Sequence, residues 1–102
     1  MKPTENLKLE YEAGRELSLT GELTLATVTS TYQQSLDYFQ NEASVPKLIN
    51  FANVTCVDSA GLTLMIEWLR LGKKQNTEIE FRNLPVQIKP LIKLFGIDNL
   101  IH

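Results

Sequence analysis

The chain has 102 residues, of which 43% are hydrophobic and 22% charged, with a net charge of -2. That is enough for one domain with one modest core, and too apolar for a disordered chain. The longest basic run is Lys73-Lys74, which argues against a nucleic-acid footprint. The single cysteine, Cys56, excludes an internal disulfide and fits a reducing compartment. Met1–Leu7 carries no apolar h-region, and no apolar run reaches the length of a membrane span. A membrane role would therefore come through a partner.

Residues 1–6 read as a loose polar lead-in to one domain spanning residues 1–102. Leu7, Leu9 and Tyr11 then alternate with Lys8, Glu10 and Glu12, the period of a half-buried strand. Ala13-Gly14 makes a turn, and Leu17 and Leu19 resume the alternation as the second arm of a hairpin. From about Thr24 the period lengthens: Leu25, Val28, Tyr32, Leu36 and Phe39 form one apolar stripe of a helix that ends in the polar cluster 40–44. Leu48, Ile49 and Phe51 lie in a short β-prone run. A helix is expected over 59–74, stopped by Gln75-Asn76, and Ile79 and Phe81 mark a further strand. A short last helix carries Ile88, Leu91, Ile92 and Phe95 on one face. Gly96 is placed to cap it, and Pro90 is acceptable only in its first turn.

The order β-β-α-β-α-β-α implies an α/β domain with a mixed sheet of four or more strands. The later strands should be parallel and the opening hairpin should add an antiparallel edge.

On a helical wheel, Met65, Ile66 and Leu69 lie within about 60° of Leu62 and form with it the natural core face of the helix over 59–74. Leu64, Trp68 and Leu71 fall on the other side. Either flanking helices cover these three, or Trp68 and its neighbours form a partner-binding patch, for which Trp is a favoured anchor.

Ahead of that helix stands Asp58-Ser59-Ala60-Gly61. Asp58 and Ser59 both suit an N-cap, and Gly61 would let a partner backbone approach closely. Free N–H groups and the positive end of the dipole would favour a phosphate on Ser59. A plain helix cap explains the same residues, though no Glu or Gln completes a capping box. Cys56 reads as a buried, inert thiol, and His102, the only histidine, lacks the companions that catalysis or metal binding needs. There is no Walker A loop and no dinucleotide glycine pattern. No catalytic residue, metal site or cofactor is expected.

The stretch Asn53-Val-Thr-Cys-Val-Asp-Ser-Ala-Gly-Leu-Thr-Leu-Met-Ile-Glu-Trp-Leu-Arg70 resembles the signature of STAS domains (sulfate transporter and anti-sigma antagonist), a strand followed by Asp-Ser/Thr-x-Gly and an apolar helix. Leu19-Thr20-Gly21-Glu22-Leu23 resembles the family's Gly-Glu/Asp-Leu turn, and Leu91–Ile97 looks like its last helix. The resemblance implies an α/β fold like that of the antagonist SpoIIAA. Anti-sigma factor antagonists usually carry Asp-Ser-Ser/Thr-Gly with the serine phosphorylated by a partner kinase. Ala60 departs from that pattern, and Asp-Ser-Ala-Gly-Leu looks more like the MlaB type, cytoplasmic STAS subunits of a phospholipid-transport ABC complex in Gram-negative envelopes.

The MlaB likeness implies a non-catalytic subunit, held at the inner membrane by its partner, that supports an MlaF-like ATPase. It would put Ser59 at the ATPase contact, with Asp58, Ala60, Gly61 and Leu62 around it and the Thr20-Gly21-Glu22 turn on the same end. The alternative is an antagonist of an anti-sigma kinase, switched by phosphorylation of Ser59. Neither reading involves nucleic acid or membrane insertion, and the motif end could also support a homodimer.

Overall fold

The computed structural model describes residues 7–94 and Gly96. The lead-in over 1–6 and the placement of Phe95 lie outside the described residues.

Strand β1 (Leu7–Glu12) turns through Gly14 and Arg15, both at positive φ, into β2 (Glu16–Leu23). Helix α1 (Val28–Ser35) runs on as a 3-10 turn over Leu36–Phe39. Then come β3 (Leu48–Val57), α2 (Ser59–Lys74), β4 (Glu80–Arg82) and α3 (Ile88–Leu94). The spatial order is β1-β2-β3-β4. β1 is antiparallel to β2, while β2–β3 and β3–β4 are parallel. This is the mixed sheet and element order expected from the alternation of periods.

The helices cover one sheet face. Leu17, Leu19, Leu23, Ile49, Phe51, Val54 and Val57 point into it, and Leu62, Met65, Trp68 and Ile88 meet them from the helical side. On the other face Thr20, Ala52, Asn53 and Thr55 are exposed. β2 and β3 alternate up to their two register shifts, beyond which β3 buries every third residue, Val54 and Val57, and the sheet keeps one wet side.

Four expectations change. The first helix begins at Val28, so Leu25 sits in the preceding turn and is 75% exposed. β3 is ten residues long rather than a short run. It carries Cys56 on an outward position, so the thiol is exposed and not buried.

The buried face of α2 is also rotated. It comprises Gly61, Leu62, Leu64, Met65, Trp68 and Gly72, whereas Ile66 and Leu69 are only partly buried. Its centre lies about 80° from the centre of the Leu62-Met65-Ile66-Leu69 cluster at 100° per residue. The reason is the two glycines, which an apolar count ignores. A Cβ on Gly61 would stand 2.2 Å from the Leu23 carbonyl oxygen, and one on Gly72 would stand 2.7 Å from Ile79 Cδ1. They let α2 settle close against its neighbours along the line that runs through Trp68.

Trp68 is thus fully buried, and it is not a docking residue. Its Nε1–H donates to Ser35 Oγ at 2.9 Å, and Ser35 Oγ–H donates to the Tyr32 carbonyl at 2.8 Å. Of the two readings of Leu64, Trp68 and Leu71, coverage by neighbouring helices is the one the structure adopts: Leu64 is 4% exposed and Leu71 is packed against the core.

α3 holds Pro90 as its third residue, where no intrahelical N–H bond is lost. Gly96, at φ 69°, donates its N–H to the Lys93 carbonyl, as a glycine C-cap does.

Candidate functional site

The parallel strands β2 and β3 end together, with Leu23 opposite Val57. Both chains turn there into helices, so the β2–α1 turn and the N-terminus of α2 share one end of the domain. The Asp58 amide donates to the Leu23 carbonyl at 3.3 Å.

Asp58 is the N-cap of α2. Its Oδ1 accepts from the Gly61 amide at 3.0 Å, satisfying one of the helix's free N–H groups. Its Oδ2 accepts from the Leu25 amide, also at 3.0 Å. One carboxylate therefore caps its own helix and ties down the turn across from it. That turn is braced from within: Thr27 Oγ1–H donates to the Glu22 carbonyl at 2.8 Å, and the Thr24 amide donates to Thr27 Oγ1 at 3.1 Å.

Ser59 is the first helical residue and is exposed, and Ala60 beside it is half-buried. Gly61 and Leu62 are buried, contrary to the expectation that they surround a partner contact. The backbone that approaches Gly61 is the chain's own, at Leu23. Thr20, Gly21 and Glu22 form no turn. They belong to β2, at the second of two register shifts against β3, where Gly21 takes φ 120°. The turn at this end is Thr24–Thr27, displaced by the few residues through which β2 continues. Leu25 and Thr27 are the residues the sequence reading missed. Leu25 looked like the first member of a helical stripe, and only the Thr24-x-x-Thr27 spacing hints at a turn.

A shallow groove of about 480 Å³ runs from this end between α1 and α2. Val28, Tyr32, Ala60 and Leu64 supply apolar walls, and Thr29, Thr63 and Glu67 the rim. Thr63 Oγ1–H donates to the Ser59 carbonyl at 3.0 Å. A hydrogen bond from Arg70 (Nε to Oε1, 2.9 Å) holds the Glu67 carboxyl below its ordinary pKa, and the same pairing raises that of Arg70.

Among the described residues, no group of three or more His, Cys, Asp or Glu side chains could hold a metal ion, and no helix is long and apolar enough to cross a membrane. The arrangement offers a firm, largely uncharged surface.

A family model described as "Mlab, STAS domain" matches residues 10–102. No curated protein matches the chain. Among solved structures, the chain is similar to the anti-sigma factor antagonist SpoIIAA in its unphosphorylated form, with a TM-score of 0.66 over 94% of this chain and 86% of that one. The two are 21% identical, a likeness that establishes the fold. With the strand, the Asp-Ser-Ala-Gly cap and the apolar helix in the places the family model covers, the chain belongs to the MlaB-type STAS domain family.

Proposed function

We propose that this domain is a non-catalytic subunit that docks through its motif end onto the ATPase of an ABC-type phospholipid transporter, and supports that ATPase from the cytoplasmic side of the inner membrane. The observation that carries the reading is the exposed Ser59 on a capped, rigid helix start, flanked by the exposed Leu25 and the apolar groove. Apolar side chains held in place at low entropic cost favour protein association, and a family of interaction domains suits them. The MlaB-type family match points to the transporter ATPase as the partner.

The test is a pull-down of the tagged protein from its native host in mild detergent, read by mass spectrometry. An ABC ATPase with its permease is the expected company. Ser59→Arg should abolish that company while leaving the melting temperature of the free domain within a degree or two, because Ser59 is exposed and its hydroxyl is not part of the cap. Recovery of a histidine-kinase-like ATPase in their place would sink the transporter reading.

One observation favours a second reading. Ser59 is exposed at the N-terminus of a 16-residue helix, where the dipole stabilises a phosphate, and the SpoIIAA structure similar to this one is described as an unphosphorylated form. An antagonist controlled by a kinase would show phosphate on Ser59 at some growth stage.

A further inference from the structure

In a chain that is 22% charged, no charged residue occurs from Thr24 to Leu36, and none from Ser59 to Ile66. The fold lays these two segments side by side: the first is the β2–α1 turn and α1, the second the first half of α2, and the groove lies between them. Asp58, the carboxylate at the head of α2, spends both oxygens on the Gly61 and Leu25 amides. The result is a continuous face whose one charged lining residue is Glu67, at the far rim of the groove and paired with Arg70.

Leu25 stands on that face at 75% exposure. Val86 and Leu94 are equally exposed, at 76% and 75%, but Val86 lies in the turn before α3 and Leu94 at its end, close in sequence to the exposed Lys89 and Lys93. Leu25 differs from both in having its own amide fixed by a side chain from another element. A loop leucine would ordinarily lose conformational entropy on being captured. Here Asp58 and the Thr27 brace have already removed much of that freedom.

Charged residues are depleted in the cores of protein interfaces, and the lack of Lys or Arg here disfavours anionic lipid and nucleic acid as occupants. Resting on the docking reading above, we propose that Asp58 is a positioning residue that holds Leu25 out as the apolar anchor of this charge-poor face, and that the ATPase subunit receives Leu25 in an uncharged, apolar pocket.

The test uses the purified ATPase subunit and the full chain, with affinity measured by calorimetry at low and high salt. Leu25→Ala should weaken binding about tenfold or more, the size of effect a buried anchor has. Val86→Ala and Leu94→Ala should leave the affinity unchanged. Asp58→Asn, which can offer only one oxygen to two amides, should also weaken binding. It should raise the exchange rate of the Leu25 amide while the interior amides of α2 stay protected. Because Asp58 acts through Leu25, Asp58→Asn added to Leu25→Ala should cost little more than Leu25→Ala alone; full additivity would mean that it acts otherwise. Raising the salt should change the affinity little.

Wild-type affinity in Leu25→Ala, or binding that collapses with salt, overturns the inference even where Ser59→Arg abolishes binding and the docking reading stands. A wild-type domain that does not bind the ATPase overturns both. A wild-type chain that instead self-associates, and becomes monomeric on Leu25→Ala, makes a second copy the occupant and overturns the ATPase assignment.

Discussion

Gly61 shows most directly how one residue's missing side chain shapes this domain. Its Cα faces the Leu23 carbonyl so closely that an added Cβ would meet the oxygen at 2.2 Å, the carbonyl carbon at 3.0 Å and Leu23 Cγ at 3.0 Å. The obstacle is backbone at the end of a paired strand, which cannot swing away. At Gly72 the nearest atoms are Ile79 Cδ1 at 2.7 Å and Cγ1 at 2.9 Å, the end of a side chain that can change rotamer, with the Thr77 carbonyl at 3.0 Å. Gly61→Ala should therefore destabilise the domain by about 1–3 kcal/mol or more, as overpacking does. Gly72→Ala should cost less, since its clash is partly relieved by rotation and alanine favours the helix. Urea denaturation of the two variants checks the order; equal costs would mean that α2 shifts bodily away from the sheet. Gly61 was legible in the sequence as a residue for close approach, but not what would approach it. Periodicity counts side chains and is blind to a face organised around residues that have none.

Elements were read well where each stood alone and less well where one handed over to the next. The hairpin, α2 at its full length and the placing of Pro90 in the first turn of α3 follow from local rules. The start of α1, the length of β3 and the Thr24–Thr27 turn depend on contacts from distant residues: Asp58 on Leu25, and β2 alongside β3. The same tertiary logic governs Arg15, which takes φ 62° in the hairpin turn. Its Nε–H donates to the Val45 carbonyl at 2.7 Å, and Nη2 donates to the Glu42 carbonyl at 2.8 Å and to Thr77 Oγ1 at 3.4 Å. Its own carbonyl accepts from Lys47 N–H. One side chain thus joins the hairpin to the segment before β3 and to the α2–β4 turn. Arg15→Ala loses these bonds and keeps the left-handed backbone, at a cost of about 1–3 kcal/mol. Arg15→Gly loses the same bonds but relieves the backbone by about 1 kcal/mol. Thermal denaturation should place the glycine variant between wild type and the alanine variant. An alanine variant at least as stable as the glycine variant would show that the turn abandons the left-handed conformation once the guanidinium is gone.

At the scale of the molecule, stability and docking draw on different residues. The core is one cluster with members from β1, β2, β3, α2, β4 and α3, and Val28 and Tyr32 of α1 and Phe39 after it pack against or into it. The motif-end surface residues Leu25 and Ser59 are outside it. With a radius of gyration of 12.9 Å, the chain is as small as a folded domain of its length should be. One shared cluster leaves no sub-unit able to unfold first at little cost, so the transition should be all-or-none. The single tryptophan makes this easy to follow. Trp68 lies in the middle of the cluster at 0% exposure, bonded to Ser35 on the segment that packs over it. Its fluorescence reports tertiary packing between α1 and α2, while far-UV circular dichroism reports helix and sheet throughout. In urea the two signals should fall on one curve with a common midpoint. Loss of the Trp68 signal ahead of the circular dichroism would mean that α1 and its following turn detach as a unit. The docking face would then be one that the partner completes, since α1 forms half of it.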